Sequence, residues 1–195
     1  MGKVKFSVVC ASNFNRSMEG HCVMMDSNLD VKSYGTGTSC KLPGKKQSQP
    51  NIYPFGGSTY QEIYEDLERQ DLEFYKNNGL IKMVDRNRKI KEKPEKFQIE
   101  SRNHQFDVII CCEERVYDAV IEDLASRDSS MYPVHVINIE IKDNAEQAQL
   151  GGQIIKEMSL LFENSSDIHT DALVILNGLI EKYPKTRFMY CVSIN

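Results

Sequence analysis

Short apolar, β-branched runs alternate along this chain with segments whose apolar positions recur every three to four residues. Residues 3–10 (KVKFSVVC) read as a strand that runs into a polar loop, and residues 17–25 as the helix that follows. Residues 31–34 read as a second strand, closed by Gly35-Thr36-Gly37-Thr38. Residues 106–112 (FDVIICC) are apolar enough for a buried strand, with a helix over 113–127. Residues 133–141 (PVHVINIEI) give the next strand. Helices are expected from about 145 to 162 and from about 168 to 182, and the tail RFMYCVSI gives a final strand.

The connections differ in kind. Residues 39–58 are rich in Pro, Gly and polar side chains and read as a long loop. Thr59 and Glu62 form a capping box, and behind them Tyr60, Ile63, Tyr64, Leu67, Phe74 and Tyr75 recur at helical spacing, a stripe that reads as core. Asn77-Asn78-Gly79 ends that helix. Residues 85–96 (DRNRKIKEKPEK) read as a charged, solvated connection rather than a phosphopeptide-binding or nuclear-import patch. Strands alternating with helices predict an α/β fold in three layers: a mostly parallel central sheet with helices on both faces. One domain is expected over 1–195, with insertions at about 39–58 and 80–100.

Composition narrows the function. Lys+Arg number 24 and Asp+Glu 28, a net charge of −4, which argues against binding bare nucleic acid. Hydrophobic residues make up 41% and charged residues 27%, as in ordinary globular domains, and the apolar runs fall short of the ~20 residues of a membrane span. The six cysteines (10, 22, 40, 111, 112 and 191) have neither framework nor zinc-ligand spacing. With too short an apolar stretch at the start for a signal peptide, reduced thiols are the expectation.

Ligands of such sheets bind at the carboxyl ends of the strands, so the first strand-to-helix junction is where chemistry is expected. It reads Cys10-Ala11-Ser12-Asn13-Phe14-Asn15-Arg16-Ser17, a C-x5-R-S sequence. Five residues between Cys and Arg suffice to wrap a loop whose N–H groups converge on an oxyanion, ahead of a helix N-terminus. A thiol at the base of such a cradle ionises readily. Arg16 can grip two oxygens of a phosphate, Ser17 can donate its hydroxyl to the sulfur, and Asn13 can tie the loop from within. The expected reaction is displacement at phosphorus by Cys10, giving a cysteinyl-phosphate that water hydrolyses, with no metal or other cofactor.

An alkoxide leaving group needs a general acid, and Asp143 follows a strand at the correct sheet edge. Asp143 or Asn144 equally suits the N-cap of the helix at Ala145, and both roles stand. His21 reads as structural, and Cys111-Cys112 as packed thiols.

The loop resembles the low-molecular-weight tyrosine phosphatase superfamily, whose signature is V-C-x-x-N-x-x-R-S. Asn15 stands where that superfamily usually has a second Cys, and its Asp-Pro acid motif is replaced by Asp143-Asn144. The likeness is closer to one branch, the symplekin-associated Ssu72 phosphatases of the RNA polymerase II C-terminal domain. It rests on six blocks in order: VVCASNxNRSMExH, YGTGTxxKLPG, PNIYxF, MVDRNxxIKxxPExFQ, FDVIxxCEERVYDxVxEDLxSR and PVHVINxxIxDNxExAxLG. Phe14 and Gly20 depart from the family pattern, as do the inserted Gly56-Gly57 and the last third of the chain.

The resemblance implies a phosphatase for phosphoserine before a cis proline, at heptad position five and to a lesser degree seven. It implies a nuclear setting in mRNA 3′-end processing, a symplekin-like scaffold as partner, and help from a prolyl isomerase, because cis X–Pro is the minority form. It assigns Cys10 as nucleophile, Arg16 as phosphate clamp, Ser17 as partner of the sulfur and Asp143 as acid, with residues 11–16 holding phosphate. Lys41, Leu42, Pro43 and Gly44, with Met83, Asp85 and Asn87, match the peptide groove. The competing readings are a low-molecular-weight tyrosine phosphatase, an arsenate reductase, and a phosphopeptide-binding scaffold subunit.

Overall fold

The computed structural model describes residues 3–46, 48–128 and 131–194. The chain runs β1 (Lys5–Cys10), α1 (Arg16–Met25), β2 (Asp30–Gly35), β3 (Ser39–Leu42) and β4 (Asn51–Pro54). Three helices follow: α2 (Tyr60–Asn77), α3 (Leu80–Ile90) and the single turn α4 (Phe97–Glu100). Then come β5 (Val108–Cys111), α5 (Glu114–Ala125), β6 (Pro133–Ile139), α6 (Ala145–Glu163), α7 (Ile168–Lys182) and β7 (Phe188–Ile194).

The central sheet has the order β2-β1-β5-β6-β7. Its first four strands are parallel, and β7 closes the edge antiparallel to β6. β5 (VIIC) is buried at all four positions because both faces are covered. On one face Phe6, Val8 and Cys10 of β1 and Ile110 of β5 pack with Met24 of α1, Ile155, Met158 and Phe162 of α6 and Leu176 of α7. On the other, Val9, Ile109 and Val136 meet Val116, Val120 and Leu124 of α5 and Phe97. The predicted three-layer α/β arrangement is the one observed.

Two connections differ from expectation. Segment 39–58 contains an antiparallel hairpin, with Cys40 opposite Tyr53, rather than a structureless loop. Four-residue strands are too short for a period of two to stand out from a Pro- and Gly-rich stretch. The charged segment at 85–96 is helical up to Ile90. Its buried face is Leu80, Ile81, Val84 and Asn87, and the intervening charges mask that spacing in the sequence. Both elements cover a third apolar cluster, in which Phe14 and Met18 meet Cys40, Leu42, Tyr60, Ile63, Leu67 and Tyr75. The aromatic stripe of α2 therefore is core, and its start is the expected capping box. Gly79 takes φ +84 in the turn into α3, a conformation that costs glycine little.

Gly151 of α6 lies against Ile141: a Cβ there would stand 2.4 Å from Ile141 Cδ1 and 2.7 Å from Cγ1. Gly151→Ala would gain about 1 kcal/mol of helix propensity but lose about 1–3 kcal/mol to overpacking. A net fall in Tm is expected in thermal unfolding.

Candidate active site

The strand order turns back between β1 and β5, because the chain leaves β1 for β2 on one side and resumes on the other. A crevice opens at the carboxyl ends of strands at such a point. Cys10 ends β1 there, Cys112 and Glu113 follow β5, and Asp143 follows β6.

Five carbonyl groups from Cys10 to Asn15 are held by donors outside the loop. Thr36 N–H donates to Cys10 O at 3.0 Å and Gly37 N–H to Ala11 O at 2.9 Å. Tyr60 Oη donates to Asn13 O. Asn87 Nδ2 (2.8 Å) and Arg86 Nη2 (3.0 Å) donate to Phe14 O, and Arg86 Nη2 reaches Asn15 O at 3.3 Å. Among the described residues, no backbone N–H from Ser12 to Asn15 has a partner inside the protein. Those groups are free to meet an anion, at the N-terminus of α1.

Asn13 takes φ +49, which asparagine tolerates better than most residues. Its amide orientation follows from its partners: Oδ1 accepts from Glu95 N–H at 3.0 Å, so Nδ2 is the donor to Ser17 Oγ (3.1 Å) and Ser33 Oγ (3.2 Å). Ser17 Oγ therefore accepts from Asn13 on one side and shares a hydrogen bond with Cys10 Sγ at 3.0 Å on the other, one that the hydroxyl donates when the sulfur is a thiolate. Ser33 continues the chain to His21 Nδ1 at 2.9 Å. Burial, with Lys91 and Lys32 nearby, pushes the His21 pKa down to about 4. Burial also lowers Lys91, which binds Ser33 O at 2.6 Å and pairs with Glu95.

Arg16 is 3% exposed. Its Nη1 is held from behind by Glu113 Oε2 (2.8 Å), Ile141 O (2.9 Å) and Cys112 O (3.3 Å). Its Nε is buried and has no partner among the described residues. That nitrogen and Nη2 form a fork whose geometry suits two oxygens of a tetrahedral anion. Burial by itself lowers the Arg16 pKa, but Cys10, Cys112, Asp143 and the Glu113 hydrogen bond outweigh it and hold the group above its ordinary value.

Asp143 is 57% exposed and spans Arg16 Nη2 (3.4 Å, from Oδ2) and Asn15 Nδ2 (2.9 Å, from Oδ1). Asn144, not Asp143, caps α6, accepting from Gln147 N–H at 2.9 Å. Asp143 is thus left to face the loop. A cleft of about 260 Å³ joins Cys10, Ser12, Phe14, Asn15 and Asp143 to Lys41, Leu42, Pro43 and Met83. Gly44, Asp85 and Asn87 do not line it. Asp85 pairs with Arg88 and Lys89 along α3, and Asn87 is buried behind Phe14. A larger cavity, about 560 Å³, lies between α6 and residues 183–187 and contains none of the loop. No cluster of metal-ligating side chains occurs among the described residues.

Sequence reasoning passed over Glu113, Arg86 and Tyr60, which shape the site without touching the cleft floor. A carboxylate directly after a strand at the same sheet edge as a C-x5-R loop was the available signal for Glu113. For Arg86 there was none, because its charge sits among five other cations and three acids in residues 85–96.

The sheet, the outward-turned loop and the buried arginine together define a class, the cysteine-dependent phosphatase. Comparison with known proteins narrows it: the family model for Ssu72-like proteins matches residues 4–195, so the chain belongs to the Ssu72 family. It is 44% identical over 190 residues to the human RNA polymerase II C-terminal domain phosphatase SSU72, covering 97% of this chain and 96% of that one. It is 44% identical over 191 residues to the Caenorhabditis elegans phosphatase ssup-72, with the same coverage of each. Among solved structures, Drosophila melanogaster Ssu72 with symplekin, bound to a cis peptidomimetic phosphoserine peptide of the C-terminal domain, superposes with a TM-score of 0.93 at 41% identity over the whole of both chains.

Gly35 borders the loop so closely that a Cβ would stand 2.7 Å from Ala11 O and 2.9 Å from Asn13 N. Gly35→Ala must push the loop, and vanadate affinity is expected to fall about tenfold or more, since misplacements near 1 Å cost ~10²-fold. An unchanged inhibition constant would refute this account of the loop. The lowered His21 pKa means that the unfolded chain takes up a proton the folded one refuses, so stability is lost as pH falls from about 6.5 towards 4. The loss is on the order of 2–3 kcal/mol, and His21→Asn should flatten that slope in chemical denaturation.

Proposed function

We propose that this chain removes phosphate from phosphoserine–proline sites of the RNA polymerase II C-terminal domain, at heptad position five and to a lesser degree seven, through a cysteinyl-phosphate on Cys10. The single observation that supports this best is the buried, unpartnered Nε of Arg16 above a loop of free N–H groups and the Cys10 sulfur. Membership of a family whose relatives are named for that substrate supplies the rest.

The Cys10 sulfur attacks phosphorus while residues 11–16 and Arg16 hold the equatorial oxygens. The bond to the serine oxygen breaks, and Asp143 gives that oxygen its proton. Asp143, now a carboxylate, takes a proton from water, which attacks the cysteinyl-phosphate and releases phosphate and the Cys10 thiolate. The Ser17 hydroxyl steadies the sulfur as it leaves, and Asn15 keeps Asp143 over the loop.

The whole chain acts as one phosphatase domain in this reading, with Lys41, Leu42, Pro43 and Met83 as the peptide-facing wall. A proline that turns cis folds the peptide back on itself, which suits a cleft closed on one side by β3 and on the other by α3. Prolyl isomerase then replenishes the minority cis form. The setting is the nucleus, in mRNA 3′-end processing, beside a symplekin-like scaffold of the kind carried by the Drosophila structure. No cofactor takes part.

Three substrates test this in the presence of chelator. Cis-locked phosphoserine–proline peptide should turn over, while trans-locked peptide and phosphotyrosine peptide should lag well behind. Cys10→Ser should abolish turnover and keep phosphopeptide binding. Asp143→Asn should slow the peptide by about 10²-fold or more but p-nitrophenyl phosphate much less, because nitrophenolate leaves without a proton. Equal losses on both substrates would remove Asp143 from the acid role.

A further inference from the structure

Arg86 belongs to neither the cleft lining nor the C-x5-R-S sequence, yet its guanidinium meets the phosphate loop at two carbonyl groups. Nη2 donates to Phe14 O at 3.0 Å and Asn15 O at 3.3 Å, and Nη1 pairs with Glu19 of α1. Nε and Nη2 donate to Asn87 Oδ1 at 3.0 and 2.9 Å, which fixes the Asn87 amide so that its Nδ2 donates to Phe14 O at 2.8 Å. Two adjacent residues of α3 thus hold one carbonyl between them, and that helix is tied to α1 by the Glu19 pair. The group is 18% exposed and Asn87 fully buried, so water competes little for these bonds.

A peptide unit whose carbonyl is fixed outward has its N–H turned the opposite way. Phe14 O and Asn15 O belong to the units that carry the N–H groups of Asn15 and Arg16. The orientation of the outer half of the anion cradle therefore depends on α3. The same helix presents Met83 to the cleft, three and four residues before Arg86 and Asn87, on one helix face.

We propose that Arg86 is a positioning residue of the phosphate loop, assisted by Asn87, and that α3 joins the wall of the peptide groove rigidly to the oxyanion cradle. This rests on the phosphatase reading above. Arg86 touches no reacting atom. It sets the direction of the amides that do, so its removal acts on transition-state stabilisation rather than on peptide binding. Met83 is its counterpart on the groove side of the helix, felt by a peptide and not by a bare phosphate ester.

Arg86→Lys keeps the charge and loses the fork. It should lower kcat on p-nitrophenyl phosphate and on phosphoserine–proline peptide by the same factor, roughly tenfold to a hundredfold, and weaken vanadate inhibition comparably, with little change in peptide KM. Met83→Ala should do the reverse, raising peptide KM and sparing vanadate inhibition. Glu19→Gln, which keeps a hydrogen bond to Arg86 but removes the counter-charge, should show a smaller loss in the same direction and serves if Arg86→Lys does not fold. A folded Arg86→Lys or Glu19→Gln variant with lower Tm but wild-type kcat and vanadate inhibition would overturn the proposal and leave Arg86 a strut. If Cys10→Ser stayed active, the phosphatase reading itself would fail, and the two failures are thereby separable.

Discussion

Everything at this site depends on one constraint: five carbonyl oxygens between Cys10 and Asn15 are bound from outside, so the N–H groups of those peptide units face inward. No charged side chain could substitute for that arrangement, because a helix N-terminus and a ring of amides present positive partial charge from several directions without the reorganisation a mobile cation needs. The donors come from three separate segments between β2 and the end of α3. Thr36 and Gly37 follow β2, Tyr60 opens α2, and Arg86 and Asn87 lie on α3. The loop is short and local, but what holds it open is long-range.

That dispersal explains what could be read from sequence. The cradle itself is local: a strand, C-x5-R-S and a helix are contiguous, and their spacing alone points to a phosphate loop. The sheet was legible for the same reason, since FDVIICC carries an unbroken apolar run and PVHVINIEI β-branched residues broken by single polar ones, each of a length that fits a strand. Asp143 was legible by position, at the end of a strand on the right edge. Its competing capping role was settled only by the neighbour, Asn144, whose side chain takes the Gln147 N–H.

What stayed hidden was pairing between distant segments. Residues 86–96 look solvated because six cations stand among a few acids, and nothing in their order says that Arg86, Lys91 and Glu95 turn inward. Glu113 is one of three successive charges, Glu113-Glu114-Arg115, and only the crossover from β1 to β5 places it against Arg16. Asn87 was matched to the peptide groove and lies behind the loop instead, while Asp85 is neutralised along its own helix. The hairpin of β3 and β4 escaped because each strand is shorter than the window in which alternation becomes visible.

The ion pair between Asp143 and Arg16 gives the cradle a built-in competitor. An incoming anion has to evict a carboxylate that is already tethered and therefore present at high effective concentration. In the proposed reaction a phosphate ester takes over that contact at Nη2 and adds Nε and the free amides of the loop. That exchange frees the Asp143 carboxyl group from Arg16, so that ligand entry and release of the acid arise from a single displacement.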